Sequence, residues 1–265
     1  MSVDLSGLRA LLFLPASNPR AIAKARASAA DLVILDLEDA VKDEDKDTAR
    51  EAAVAALAEP WPMPVAIRVN ALGTRWFAQD VAALALSKAD MAVAPMVTDP
   101  SQVNAIRENC AKPVIAMIES AAGVLAAPAI ARVSAGLFLG LNDLAADLRL
   151  PPGSGRANML VALQSVILAA RAARIPVFDG VFNRLDDPDG FAAECAEGRR
   201  MGFDGKTLIH PDQIAPALAA FAPRPEEIAR AQRLVAAASG GAERFEGEMI
   251  ETMHVESAKL LLSRL

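Results

Sequence analysis

The chain is short of cysteine, of histidine and of net positive charge, and each shortage narrows what it can be. Its 265 residues include two cysteines, Cys110 and Cys195, far apart and each inside a helical pattern. Two unclustered thiols make neither a disulfide framework nor a zinc site, and they suit a reducing cytoplasm. Lysine and arginine total 27 against 33 acidic residues, a net charge of −6 that argues against nucleic acid as the main partner. Although 53% of residues are hydrophobic, no run reaches the ~18 apolar residues of a membrane span. The opening MSVDLSGLRALLF has no basic stretch ahead of its apolar run and no convincing cleavage site, so no secretory signal is expected. The turn after the first apolar run, PASNPR, lacks glycine, which counts against a dinucleotide-binding open sheet. Of the two histidines, His210 stands before Pro211 and reads as a loop-fixing hydrogen bonder, and His254 lies in the tail.

What the chain does have is a repeated alternation of short apolar runs and helical patterns. The runs are Ala10–Leu14, Leu32–Leu37, Val65–Val69, Met91–Ala94, Val114–Ile118, Leu137–Leu141, Val177–Val181 and Thr207–Ile209. Each is too short for a helix and lacks alternation, as a parallel strand covered on both faces does. Eight such strands with helices between them predict a (β/α)₈ TIM barrel over residues 1–222. Residues 223–265 then form a C-terminal helical extension: a helix over Pro225–Ala238, a break at Gly240-Gly241, and an amphipathic helix near Val255–Leu265. Val255, Ala258, Leu262 and Leu265 fall on one face of that last helix, which must be buried somewhere. Pro151–Gly155 reads as a mobile loop over one mouth.

In such barrels the C-terminal ends of the strands open onto the active site. Strand five ends at Glu119, and strand six runs into Asn142-Asp143, one βα repeat later. Two carboxylates at consecutive strand ends can meet in one pocket and, with positions left for water and substrate, make a Mg²⁺ site. Glu is a poor helix cap and Ser120 a good one, so Glu119 is free for that role. Strand two ends in Asp36-Leu37-Glu38-Asp39, where Glu38 and Asp39 are expected to support the metal from behind as hydrogen-bond acceptors. Arg68 in strand three is costly to bury unpaired. It is expected to clamp a carboxylate or a developing oxyanion, a salt bridge to the strand-two acids being compatible with that. Strand seven presents Phe178-Asp179-Gly180, placing Asp179 among the substrate-binding candidates. Arg9, Arg20, Lys24 and Arg26, against Asp4 alone in the first 30 residues, form a basic cluster for an anionic ligand. Lys206 is the nearest lysine to a strand end, and it does not suggest an imine mechanism.

Seven segments in order, RALLFLPASNPR, DLVILDLEDAVKDEDK, AIRVNALGTRWFAQD, AMIESAAGV, GLNDLAADL, FDGVFNRLDDPDGF and GFDGKTLIHPDQI, carry a resemblance. Together they make the chain similar to the citrate lyase beta-subunit-like branch of the aldolase/citrate lyase superfamily, with its malyl-CoA and citramalyl-CoA lyases. The resemblance implies a (β/α)₈ barrel, Glu119 and Asp143 as Mg²⁺ ligands, and Arg68 on the substrate carboxylate or carbonyl oxygen. It places Phe13 and Lys24 against the coenzyme A part of the ligand. Asn18 stands where the family turn usually has arginine, and Arg20 is expected to substitute. The implied reaction is reversible cleavage of a 3-hydroxyacyl-CoA thioester into an acyl-CoA and a 2-oxo acid. Relatives carry a C-terminal Met-Ile-Asp whose Asp reaches a neighbouring chain's active site. Here Met249-Ile250-Glu251 makes Glu251 the expected acid, and a homo-oligomer, a trimer by resemblance, the expected assembly. Two alternatives remain open: a metal-dependent aldolase on free 2-oxo acids, and a citrate lyase subunit acting with an acyl-carrier protein. The aldolases usually have a catalytic histidine near the end of strand two, where this chain has Glu38 and Asp39.

Overall fold

The computed structural model describes residues 4–263. Eight parallel strands close into a barrel in sequence order: β1 (Ala10–Pro15), β2 (Leu32–Asp36), β3 (Val65–Arg68), β4 (Met91–Ala94), β5 (Val114–Ile118), β6 (Gly136–Leu139), β7 (Val177–Asp179) and β8 (Gly205–Leu208). β8 pairs back onto β1, with Ala10 opposite Lys206 and Leu12 opposite Leu208. The helices α1 (Pro19–Arg26), α2 (Lys46–Ala56), α3 (Phe77–Leu86), α4 (Pro100–Cys110), α5 (Ala121–Ala131), α6 (Leu141–Asp147), α7 (Leu160–Ala173), α8 (Pro188–Met201) and α9 (Ile214–Phe221) lie between and after them. All eight expected strands are present. β6 stops at Leu139, because Asn142 and Asp143 belong to the first turn of α6 rather than to a loop. β8 begins at Gly205, earlier than the apolar run suggests, because a glycine and the charged Lys206 open it.

Two cores follow from the alternation of side chains along each strand. Inside the barrel lie Leu11, Leu32, Ile34, Ala66, Met91, Val93, Ile115, Met117, Phe138 and Phe178. The rings of Phe13, Phe138 and Phe178 stack edge to face, with centroids 5.9 and 5.5 Å apart. The alternate residues, such as Leu12, Val33, Leu35, Val65, Ile67 and Leu137, pack outward against the helices. The inward register decides the mouth. Two residues beyond Leu11, Ile34, Ala66 and Met117 come Phe13, Asp36, Arg68 and Glu119.

The opposite rim is fastened by a repeated device. Asp31, Asp90 and Asp204 each directly precede a strand. Each accepts an N–H from the start of the strand before it: Ala10 to Asp31 at 3.0 Å, Val65 to Asp90 at 2.8 Å, and Val177 to Asp204 at 2.9 Å. The backbone N–H of each aspartate donates in return to Ala10, Val65 or Val177. Two backbone directions are thereby satisfied where ladder bonding is just starting.

The first compact unit ends at Phe221 and a second begins at Ala222. The second contains α10 (Pro225–Ala237), a hairpin of β9 (Glu243–Phe245) and β10 (Glu248–Ile250), and α11 (Thr252–Leu262). The hairpin is absent from the helix–break–helix expectation. Its two-residue turn, Glu246-Gly247, has φ of +48° and +89°, the twist that tight hairpins favour. It occupies the segment expected to be only a break, and α11 starts three residues earlier than expected. Ala258, with Leu262 beside it, packs against Ala231, Leu234 and Ile250 of the same unit. The apolar face of α11 therefore finds cover within its own unit and does not by itself require a neighbour. Leu265 lies outside the described residues.

Replacing Asp90 by alanine leaves the Val65 N–H buried without its acceptor and is expected to cost about 1–2 kcal/mol. Because Asp90 sits at the rim away from the pocket, denaturant unfolding should shift while ligand binding at the mouth stays as in the parent.

Candidate active site

The C-terminal mouth of the barrel holds a cavity of about 390 Å³. Its acidic and basic lining is Asp36, Asp39, Arg68, Glu119 and Asp143, with Asn142, Asn183 and Thr207 beside them and Phe13, Met117, Leu139, Leu141, Val181 and Ile209 as apolar walls. Arg68 is 7% exposed. Its Nε and Nη2 donate to the two oxygens of Asp36 at 2.7 and 2.6 Å, and its guanidinium lies 5.2 Å from the centre of the Phe13 ring. Its Nη1 is 3.0 Å from Glu38 Oε2 and 3.4 Å from Asp39 Oδ2. Burial opposes the Arg68 charge, but the Asp36, Glu38 and Asp39 carboxylates more than offset it and hold its pKa above the ordinary value. The salt bridge to the strand-two acids is present. The forked edge of Arg68 is occupied by Asp36, so the end carrying Nη1 is what remains for other partners.

Glu38 and Asp39 both approach the Nη1 end of this arginine, and Asp39 also lines the cavity. Glu38 Oε2 is buried and makes no hydrogen bond despite its 3.0 Å approach to Nη1. Burial, with the nearby Asp39, Glu119 and Asp36 charges, outweighs Arg68 and pushes the Glu38 carboxyl up to about 8.

Glu119 is 2% exposed at the end of β5. Its Oε1 accepts the backbone N–H of Met96, a residue held at φ +52°. Left-handed backbone at a non-glycine residue is costly and clusters at functional sites. Burial raises Glu119 to about 7, against the lowering effects of the Met96 N–H and Arg68, and Asp143 and Asp39 raise it further. Ser120, not Glu119, caps α5 by accepting the Gly123 N–H at 3.1 Å. Asp143 is exposed in the first turn of α6 and does not cap that helix.

A second cavity of about 530 Å³ adjoins the first, sharing Phe13, Leu14, Pro15 and Ile209 and continuing along Asn18, Arg20, Lys24 and His210. Arg20 and Lys24 thus share one groove, as expected. Arg26 and Arg9 do not join them. Arg26 pairs with Glu59 and stacks on Trp61, and Arg9 precedes β1 at the opposite rim. Asn18 caps α1 by accepting the Ala21 N–H at 3.1 Å, which accounts for a short amide at that position. His210 Nδ1 accepts the Asp212 N–H at 3.2 Å, the loop-fixing role.

Asp179 is not in the pocket. Phe178 takes the inward position of β7, so Asp179 points outward and is fully buried. There it meets Lys206 Nζ at 3.0 Å and Arg156 Nη1 at 2.9 Å. Lys206 is likewise fully buried, donating also to Glu194 and to the Gly180 carbonyl. The loop 151–155 does not line the mouth. Residues that sequence reasoning passed over are Asn183, which donates to Asn142 at 2.6 Å across the mouth, Thr207, and Met96. All three lie in or just beyond a strand end, Met96 two residues past β4, Asn183 four past β7 and Thr207 within β8, but none carries a charge to single it out. Glu251 opens α11 in the second unit, its N–H donating to His254 Nδ1 at 2.9 Å.

Gly140 leaves no room beside Glu119. A Cβ there would stand 2.3 Å from Glu119 Oε2 and 2.4 Å from its Cβ. Gly140→Ala is expected to displace Glu119 or the start of α6, at a cost of about 1–3 kcal/mol for overpacking. Denaturant unfolding checks the cost, and wild-type stability would mean the turn has slack.

Known proteins resemble this chain in sequence and fold. The model for the HpcH/HpaI aldolase/citrate lyase family matches residues 9–211. A (3S)-malyl-CoA thioesterase of Cereibacter sphaeroides is 39% identical, across 97% of this chain and 94% of its own length. The citrate lyase subunit beta of Escherichia coli K12 is 33% identical, across 97% and 92%. The crystal structure of CitE from Mycobacterium tuberculosis, in complex with magnesium, acetoacetate and coenzyme A, superposes with a TM-score of 0.85 at 34% identity. It covers 98% of this chain and 99% of that one. On the family match and the full-length relatives alike, the chain belongs to the HpcH/HpaI aldolase/citrate lyase family.

Proposed function

We propose that this protein is a Mg²⁺-dependent carbon–carbon lyase. Its substrate is a 3-hydroxyacyl-CoA thioester of the malyl, citramalyl or citryl type, reversibly cleaved to an acyl-CoA and a 2-oxo acid. The observation that carries the reading is the meeting of Glu119, Asp143 and Arg68 in one cavity that opens into a groove bearing Arg20 and Lys24.

The residues present fit the metal. Glu119 and Asp143 offer hard carboxylate oxygens, and among the described residues no set of three acidic, histidine or cysteine side chains could enclose an ion. Two protein ligands leave positions for water and substrate, as Mg²⁺ prefers. Glu119, buried and raised to about 7, lacks a counter-charge other than Arg68, and a divalent cation would supply it. A Mg²⁺ held by Glu119 and Asp143 would supply Lewis-acid polarisation to the oxygens of the oxo-acid half. Arg68, fixed by Asp36 and Phe13, balances negative charge with its Nη1 end. Phe13, Leu14, Pro15 and Ile209 line the passage in which the thioester lies, and Arg20 and Lys24 hold the phosphates of the coenzyme. The enolate left by cleavage needs a proton. Glu251 of a neighbouring chain in a homotrimer is the proposed donor, in keeping with the Met-Ile-Asp resemblance.

A second reading is thioester hydrolysis, which the 39%-identical relatives named (3S)-malyl-CoA thioesterase favour. Product analysis separates the two. Malyl-CoA incubated with the purified protein and Mg²⁺ is expected to yield acetyl-CoA and glyoxylate. Malate with free CoA would mean hydrolysis instead, and turnover only with an acyl-carrier protein would mean a lyase subunit. For the shared site, inactive Glu119→Gln and Glu251→Gln chains should regain partial activity after reassembly. No recovery after verified exchange would remove Glu251 from the pocket.

Metal binding has its own signature in pH. Glu119 and Glu38 bind protons more tightly in the folded chain than their ordinary value of 4.5. Without metal, the folded state is therefore favoured below about pH 4.5. Their contribution is lost as pH rises through about 7 and 8. Mg²⁺ binds ionised Glu119, so its stabilising effect on Tm should be larger at pH 8 than at pH 5. Glu119→Gln or Asp143→Asn should fold and lose that effect. An equal Tm shift in these variants would place the metal elsewhere.

A further inference from the structure

The turn that follows β2 carries Glu38 and Asp39, and it is held from behind by groups that touch neither cavity. Lys46, the first residue of α2, is 5% exposed. Its Nζ donates to the carbonyls of Leu37 and Glu38, each at 3.0 Å, and lies 4.9 Å from the centre of the Trp76 ring. Asn70 donates to the same Leu37 carbonyl at 2.9 Å. Asn70 is itself gripped by Asp80 in α3, which accepts its N–H at 2.9 Å and its side-chain amide at 2.6 Å, and which is paired with Arg50 Nε at 2.7 Å. On the pocket side the Leu37 N–H donates to the Arg68 carbonyl, and the Glu38 and Ala40 N–H groups donate to Asp36. The Leu37-Glu38 peptides are thus tied on one side to Lys46 and Asn70 and on the other to the pair of Asp36 with Arg68.

We propose that Lys46 is a positioning residue. Acting through the Leu37 and Glu38 carbonyls, it holds the turn in the one geometry that keeps Asp36 forked on Arg68 and Glu38 against Arg68 Nη1. A buried ammonium is costly to retain for packing alone. Here three contacts account for it: the Leu37 and Glu38 carbonyl oxygens and the face of an indole. Lys46 reaches no pocket residue directly, so its effect on the site passes through the backbone. That separates it from Arg68, Glu38 and Asp39. The inference rests on the active-site reading above for its consequence in catalysis, but its physical content concerns the order of Arg68.

The test reads Arg68 in the ligand-free protein. The Nε–H of Arg68, buried against Asp36, is followed by NMR hydrogen exchange. Lys46→Met is expected to speed its exchange by at least about tenfold, while the Val166 amide in α7 keeps its protection. Lys46→Arg, which retains charge and donors, is expected to restore it. If Lys46→Met does not fold, Trp76→Leu removes the ring over the ammonium and should act in the same direction. Unchanged Arg68 exchange in the folded variant, or equal acceleration at Val166, overturns the proposal. In kinetics on the thioester, Lys46→Met combined with Glu38→Gln should lose less than the sum of the two single losses, because Lys46 acts in part through the Glu38 carboxylate. Additive losses there overturn the route through Glu38. A protein that turns over no thioester leaves the exchange measurement intact and counts against the proposed function alone.

Discussion

Arg68 is the one cation lining the mouth of the barrel among the described residues, and five carboxylates stand around it or beside it. Asp36 takes its forked edge, Glu38 and Asp39 approach its other end, and Glu119 and Asp143 lie across the cavity. One buried guanidinium cannot neutralise that much negative charge. Burial, with the neighbouring carboxylates adding to it, pushes Glu38 up to about 8 and Glu119 to about 7. A carboxyl raised in this way takes up a proton more readily, and a cation held beside it would compete with that proton. Breaking the pair of Asp36 with Arg68 would leave an uncompensated charge in a low-dielectric place, which is why the surrounding backbone is so fully tied.

The scaffold supplies that tie at several distances. The alternation of eight parallel strands sends Phe13, Asp36, Arg68 and Glu119 to the same rim. Gly140 lets β6 pass close enough to confine Glu119, and Met96 accepts an unusual backbone angle to give Glu119 a hydrogen bond. Farther out, Lys46, Asn70 and Asp80 fasten the turn after β2, and Arg156, Lys206 and Asp179 fasten the ends of β7 and β8 to α8. These outer networks pair buried cations with carboxylates on neighbouring elements.

Much of this was legible in the residues. Short apolar runs announced the strands, because a parallel strand buried on both faces has no polar alternation to blur it. Carboxylates directly after such runs had to lie at one rim, so Glu119, Asp143 and the group from Asp36 to Asp39 could be brought together without coordinates. The pairing of Arg68 with strand two was legible for a related reason, since an arginine in an apolar strand needs a carboxylate on a neighbouring strand. What a linear reading could not assign was parity. Asp179 looks like its counterparts on β2 and β5, yet Phe178 holds the inward position and sends Asp179 to the helices. In the tail, Glu246-Gly247 was a hairpin turn hidden by short, charged strands whose apolar content is too small to register.

The sequence by itself determined the barrel, its strand order and the chemical character of its mouth. These depend on local hydrophobic pattern and on chain direction, both written in consecutive residues. Tertiary structure decided which acids face the cavity, which one forks onto Arg68, and which are raised toward neutral pH. Those outcomes depend on distances between residues such as Met96 and Glu119, or Asp36 and Arg68, 23 and 32 positions apart, and on how much water each side chain retains. Neither is a property of any stretch of chain taken alone.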